Sequence, residues 1–158
     1  MPIRMRKLHL YLSALILLFP FSGCNDNFHS SIPDVPFTIR CDMRQAAYSS
    51  LYTPGQFVIV DKNNHGYKMG YAGLIIGQST FTGMNNEPVY YALDRACPVE
   101  ADPNIAVNLQ KGIGKAVCPR CGTEYDLNSG GVPNGKGTEF LKRYSITRQG
   151  DILTIVSR

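Results

Sequence analysis

Short apolar runs closed off by glycine and proline constrain this chain more than anything else in it. Its 158 residues include 15 glycines and 10 prolines, and no long stretch keeps a 3.6-residue apolar period. A coiled coil or helical bundle is thereby excluded, since both need that period sustained over many turns. What remains alternates with a period of two or runs through β-branched residues. Phe37-Thr38-Ile39-Arg40-Cys41 alternates apolar and polar, as a half-buried strand does. Phe57–Val60, Ala72–Ile76 and Val89–Leu93 are further strand runs, and Leu141–Thr147 and Ile152–Val156 flank a turn at Gln149-Gly150-Asp151. Pro54-Gly55 and Asp61–Gly66 read as turns. Asp42 to Ser50 reads as a short helix with Asp42 as its N-cap. Strands joined by short turns predict an all-β fold, a small sandwich or barrel. A hydrophobic content of 44% against 18% charged residues fits one globular domain and excludes a disordered chain.

That domain does not start at Met1. Arg4, Arg6 and Lys7 precede an apolar run from Leu8 to Phe21, and Ser22-Gly23 stand directly before Cys24. A charged start, a short apolar centre and small residues before a cut site make a secretory signal. The run is shorter than the roughly 20 residues that cross a bilayer. Phe21-Ser22-Gly23-Cys24 resembles a bacterial lipobox. The resemblance implies removal of residues 1–23 and lipidation of the Cys24 thiol, with several acyl chains holding the protein to a membrane of the cell envelope. A plain signal peptide or an uncut anchor is the alternative. Three of the 16 basic residues precede the run, so 13 bases face 12 acids from Cys24 onward. The positive balance belongs to the export signal, and nothing points to nucleic acid. Residues 24–35 lack an apolar period and read as a tether to a domain at 36–158. Twelve flexible residues span roughly 18–20 Å, so the domain is expected to float near the membrane.

The remaining cysteines are Cys41, Cys97, Cys118 and Cys121. Cys118-Pro119-Arg120-Cys121-Gly122 is a tight turn that aims two sulfurs at one spot, half of a tetrahedral metal site. Cys118, Pro119, Gly122, Asp126, Gly130 and Gly135 stand in the register of the second half of the Rieske iron–sulfur motif, with Tyr125 where that motif has Phe. Tyr91-Ala92-Leu93-Asp94-Arg95-Ala96-Cys97-Pro98 matches the strand and loop that deliver the motif's first cysteine, and 20 residues separate Cys97 from Cys118. Leu141–Ile146 and Gly150–Leu153 match the closing hairpin. The chain therefore resembles the Rieske family over roughly residues 36–158, most closely from 91 to 156. The resemblance implies a small β domain whose two ligand loops and a glycine-rich third loop close over a [2Fe-2S] cluster at one tip. It also implies a redox partner in the envelope.

Two departures alter the chemistry. A Rieske cluster has two cysteines on one iron and two histidines on the other. Val99 stands at the first histidine position and Cys121 at the second. His29 falls in the tether and His65 in a turn, and each reads as a solvated side chain. Four readings of Cys97, Cys118 and Cys121 stay open. One is a zinc or iron ion on three thiolates, with Glu100, Asp102, Cys41 or water as the fourth ligand. The others are an inter-loop disulfide, an atypical [2Fe-2S] electron carrier, and a thiol–disulfide exchange pair. A disulfide-stapled interaction module of the envelope is the non-metal alternative.

Quieter readings suit the rest. Cys41 is a buried inert thiol on a strand, and Asp126 caps turn amides. Gly130, Gly131 and Gly135 serve turns of positive φ. The tyrosines pack on strand faces. No Ser–His–acid set is present, and the site is expected to be structural or metal-binding, without catalysis.

Overall fold

The computed structural model describes residues 28–63, 65–110, 112 and 114–157. Residues 1–23, with the lipobox start, and Cys24 lie outside the described residues. The β-branched and alternating runs form strands in chain order. They are β1 (Phe37–Asp42), β2 (Phe57–Val60), β3 (Leu74–Thr82), β4 (Pro88–Asp94), β5 (Asn108–Gln110), β6 (Lys115–Val117), β7 (Glu124–Asp126), β8 (Val132–Asn134), β9 (Ser145–Gln149) and β10 (Ile152–Ser157). They make three antiparallel sheets, β1–β10–β9, β2–β3–β4 and β5–β6–β7–β8. The protein is all-β.

The middle sheet is covered on both faces. Leu74 and Ile76 of β3 join Ile39, Cys41, Leu153 and Ile155 in one core. Ile75, between them, points the other way and joins Phe57, Leu93, Ala116, Tyr125 and Leu141 in a second core. Alternation along a strand sends neighbours to opposite faces, so a strand buried on both loses its polar face. That is why Leu74 to Ser79 are all buried. Each such Leu or Ile contributes about 2–3 kcal/mol. Gly77 is a packing requirement, because a Cβ there would overlap the ring of Phe57.

The structure departs from the sequence reading in four places. Asp42–Ser50 is not a helix: turns follow β1, and a single 3₁₀ turn spans Ser49–Tyr52. Asp42 does not cap a helix. Its carboxylate accepts from the Arg44 backbone at 3.1 Å and pairs with the Arg44 guanidinium at 2.6 Å, which holds it down to about 2. The strand read at Leu141–Thr147 begins only at Ser145, because Leu141 turns into the second core and Arg143 bridges to Leu93. The strand read at Ala72–Ile76 begins at Leu74 and runs on to Thr82, because Ala72 bonds Asp94 and Gly73 takes φ +107.

The fourth departure concerns the tether. Residues 28–35 are not loose but docked on the domain. Ile32 is 2% exposed and packs with Ala72 and Ala96. Lys142 Nζ donates to the Ile32 carbonyl at 3.0 Å and pairs with Asp34 at 2.8 Å. Ser31 N–H donates to Glu139 at 2.6 Å, and Phe28 meets Phe140 edge-on at 5.1 Å. One buried apolar side chain and paired polar groups on either side outweigh the entropy that the composition assigned to this segment.

The end of β4 carries a fully buried carboxylate. Asp94 accepts from the backbone N–H groups of Tyr71 (2.6 Å), Ala72 (3.0 Å) and Ala96 (2.7 Å) and from the Tyr144 hydroxyl (2.6 Å). Asp94→Ala leaves those donors facing a cavity and is expected to destabilise by about 3–5 kcal/mol. Tyr144→Phe removes one donor and should cost about 1 kcal/mol. Urea midpoints measure both, and equal losses would show that the carboxylate is not the hub.

Candidate metal centre

Three loops meet at one end of the β5–β8 sheet. The first leaves β4 at Asp94. The Ala96 N–H on Asp94 fixes its start, and Ala96 then bridges to Ala106. Cys97 follows, and its carbonyl accepts from Glu100 at 3.1 Å and Ala101 at 2.9 Å. The second loop joins β6 to β7. Gly122 N–H donates to Cys118 O, and Cys118 N–H to Thr123 O, each at 3.0 Å. Gly122 takes φ +73, a conformation that costs glycine little. The third loop follows β8, with Gly135 at φ +122. Gly137 N–H donates to Thr123 Oγ1 at 3.1 Å.

These loops bring Cys97, Cys118 and Cys121 together, with all three sulfurs within 4.8 Å of one another. Cys97 and Cys118 are buried, and Cys121 is half-buried. The Cys97 and Cys121 sulfurs are 3.7 Å apart, and all four described cysteines are free thiols. A tetrahedral ion with metal–sulfur bonds of about 2.3 Å needs sulfurs about 3.8 Å apart. The three thiols are therefore close enough to hold a metal ion.

The proposed fourth ligands do not join them among the described residues. Cys41 lies in the other core, on β1, which pairs with β10 on the far face of the middle sheet. There burial pushes its thiol up to about 11, opposed by a hydrogen bond to Tyr48, as an inert buried thiol requires. Glu100 turns its carboxylate to Arg120 at 3.5 Å. Asp102 closes its own turn, accepting from the N–H of Asn104 at 2.8 Å. His29 and His65 are also outside the group. Val99 is 46% exposed and has no donor atom. It borders a surface cleft of about 290 Å³ lined by Pro98, Lys136, Gly137, Thr138 and Glu139.

Two hydroxyls that the sequence reading did not single out stand against the sulfurs. Tyr125 Oη is 3.4 Å from Cys97 Sγ, and Thr123 Oγ1 is 3.2 Å from Cys121 Sγ. The only sequence signal was Tyr125 in the place of Phe; Thr123 gave none. Burial pushes the Cys97 thiol up to about 12, with Tyr125 acting against it. Burial also opposes ionisation of Cys121, but hydrogen bonding with the Thr123 side chain and backbone and with the neighbouring thiols outweighs it. The Cys121 thiol therefore lies below its ordinary value. Burial and the adjacent Cys97 raise the Tyr125 phenol, so it stays a donor.

Other expected roles hold. Asp126 accepts from Asn128 N–H at 3.0 Å and Ser129 Oγ at 2.7 Å. Gly130 and Gly131 have φ of +75 and +82.

Comparison with protein-family models, with curated proteins and with solved structures finds no match to this chain.

In reduced, metal-free protein, iodoacetamide should modify Cys121 first. Its rate should rise with pH and level off below the ordinary thiol value of about 8.5, because the thiolate is the nucleophile. Thr123→Val should slow the reaction at neutral pH about five-fold, the equivalent of one lost hydrogen bond of about 1 kcal/mol. Thr123→Ser should restore it. Mass spectrometry of labelled peptides reads both results.

Proposed function

We propose that this chain is an envelope lipoprotein, anchored through Cys24, whose Rieske-like β domain holds one zinc or iron ion on Cys97, Cys118 and Cys121. The ion serves as a structural clasp rather than a catalyst. The observation that carries this reading is the mutual approach of the three sulfurs within 4.8 Å. Sulfurs that close suit one ion. Ligands on the two irons of a [2Fe-2S] cluster stand further apart, because an iron–iron separation lies between them. The donor set supports the same choice, since Val99 offers nothing to a second iron and Cys121 adds charge where imidazole is neutral.

Bound there, the ion would neutralise the thiolates and cross-link two loops. The chain supplies the rest. Thr123 and Tyr125 hydrogen-bond to sulfur, and Asp94 fixes the start of the Cys97 loop. With three protein ligands, the fourth position is left to water or another small donor.

The 3.7 Å between Cys97 and Cys121 supports a second reading, an inter-loop disulfide in an interaction module. Bond formation at about 2.05 Å needs only a small closure, and an oxidising compartment favours it.

Metal, sulfide and thiol analysis of protein purified without air separates the readings. One equivalent of zinc or iron without acid-labile sulfide is expected. A coloured protein with sulfide would indicate the electron carrier, and metal-free protein with masked thiols the disulfide. Cys118→Ser should lose the metal and about 3–5 kcal/mol of stability, roughly 10 °C in melting temperature. Full metal retention with an unchanged melting temperature would overturn the proposal.

A further inference from the structure

We propose that the face carrying Phe28 and Phe140 is a lipid-docking surface that holds one side of the domain against the headgroup layer. This rests on the lipid anchor at Cys24 and not on the metal. The observation behind it is where the docked strap begins. From Phe28 to Asp34 the chain is fastened to the domain at Phe140, Glu139 and Lys142, and Ile32 is buried. Four residue steps separate Phe28 from Cys24. Fully extended they reach at most about 14 Å.

A domain of this length has a radius of gyration of about 14 Å and a diameter well beyond that reach. A lipid on Cys24 therefore holds Phe28 close to the bilayer and keeps the opposite end of the domain away from it. Phe28 is 50% exposed, and the Arg143 guanidinium lies 3.6 Å from its ring centroid. Phe140 borders the same guanidinium, and the exposed Lys136 lies on the loop leading into it. Aromatic rings beside cations are the chemistry of the membrane interface.

That loop also packs Gly137 beside Thr123 and Val99, where a Cβ would lie 2.9 Å from Thr123 Cγ2 and 3.1 Å from Val99 Cγ2. Docking through Phe140 thus brings the loop bonded to Thr123, and the cleft beside Val99, to the membrane side. A partner reaching that cleft would approach along the bilayer.

The chain contains no tryptophan, so one introduced indole reports alone. Phe28→Trp and Ser31→Trp place it on the strap. Met84→Trp places it in the fully exposed β3–β4 turn. The Leu93–Arg143 bridge that anchors the Phe28 side lies five residue steps along β4 from Pro88, about 17 Å away. Full-length lipidated protein is bound to phosphatidylcholine–phosphatidylglycerol vesicles with brominated acyl chains. The F28W indole should lose most of its emission, and S31W should follow in part, while M84W keeps its emission. Quenching of F28W and S31W no greater than that of M84W, in protein that floats with the vesicles, would overturn the docking proposal and leave the anchor standing. Wild-type protein that stays in the soluble fraction, as Cys24→Ser should, would overturn the anchor and the docking with it.

Discussion

At the end of β4 a carboxylate with no solvent exposure accepts four hydrogen bonds, and one of them fixes the start of the loop that carries Cys97. Burying a polar carboxyl group is costly unless donors replace its hydration. Here they are the N–H groups of Tyr71, Ala72 and Ala96 and the hydroxyl of Tyr144. The arrangement yields little net stability, since buried charge and its donors nearly offset one another. Its product is a fixed direction. The strand ends at Asp94, the next loop starts on the Ala96 bond, and Cys97 is thereby delivered under the Cys118–Cys121 turn.

Three sulfurs so close together pose a charge problem of their own. Burial keeps Cys97 protonated, up to about 12, while Cys121 is drawn toward its thiolate. One ionised thiol is readily carried by Thr123 and its neighbours, whereas three would repel each other in a poorly hydrated space. A divalent ion resolves this by displacing the remaining protons, so metal affinity at such a site rises with pH. The same spacing that suits an ion brings Cys97 and Cys121 near bonding range. Metal and disulfide are thus two chemical solutions to one piece of geometry, and redox conditions choose between them.

Much of this was legible in residue order, for identifiable reasons. The strands β2 and β10 stand where the β-branched run at Phe57–Val60 and the run after the Gln149-Gly150-Asp151 turn put them. The Cys118-x-x-Cys121 turn could be read from spacing, because a turn ending in Gly122 allows few directions for its sulfurs, whereas the approach of Cys97 to it was implied only by the Rieske resemblance. The three-residue strands β5 to β8 were not legible, being shorter than any period can reveal. The helix read at Asp42–Ser50 is absent although Asp42 accepts a capping-type bond from the Arg44 N–H, because the backbone closes tight i→i+3 turns there, Gln45 N–H to Asp42 O and Tyr48 N–H to Gln45 O. The fourth-ligand candidates stand apart from the sulfurs because of local partners. Glu100 and Asp102 carry the right chemistry at the right sequence distance, but each is spent on a local partner, Arg120 or Asn104. Sequence shows which groups are nearby and not which are already engaged.

The strap was the least legible element. Composition describes Ser30-Ser31-Ile32-Pro33-Asp34 as linker, yet its partners lie more than a hundred positions downstream, at Glu139 and Lys142. Lys142 also gives its backbone carbonyl to Asp94 N–H, and Arg143 caps the carbonyls of Ser129 and Gly130. One stretch, Gly137 to Tyr144, therefore touches the sulfur site, the strap, the buried carboxylate and the second core in succession. The segment that leads into the domain and the third loop of the sulfur site are held by the same few residues, Gly137 to Lys142.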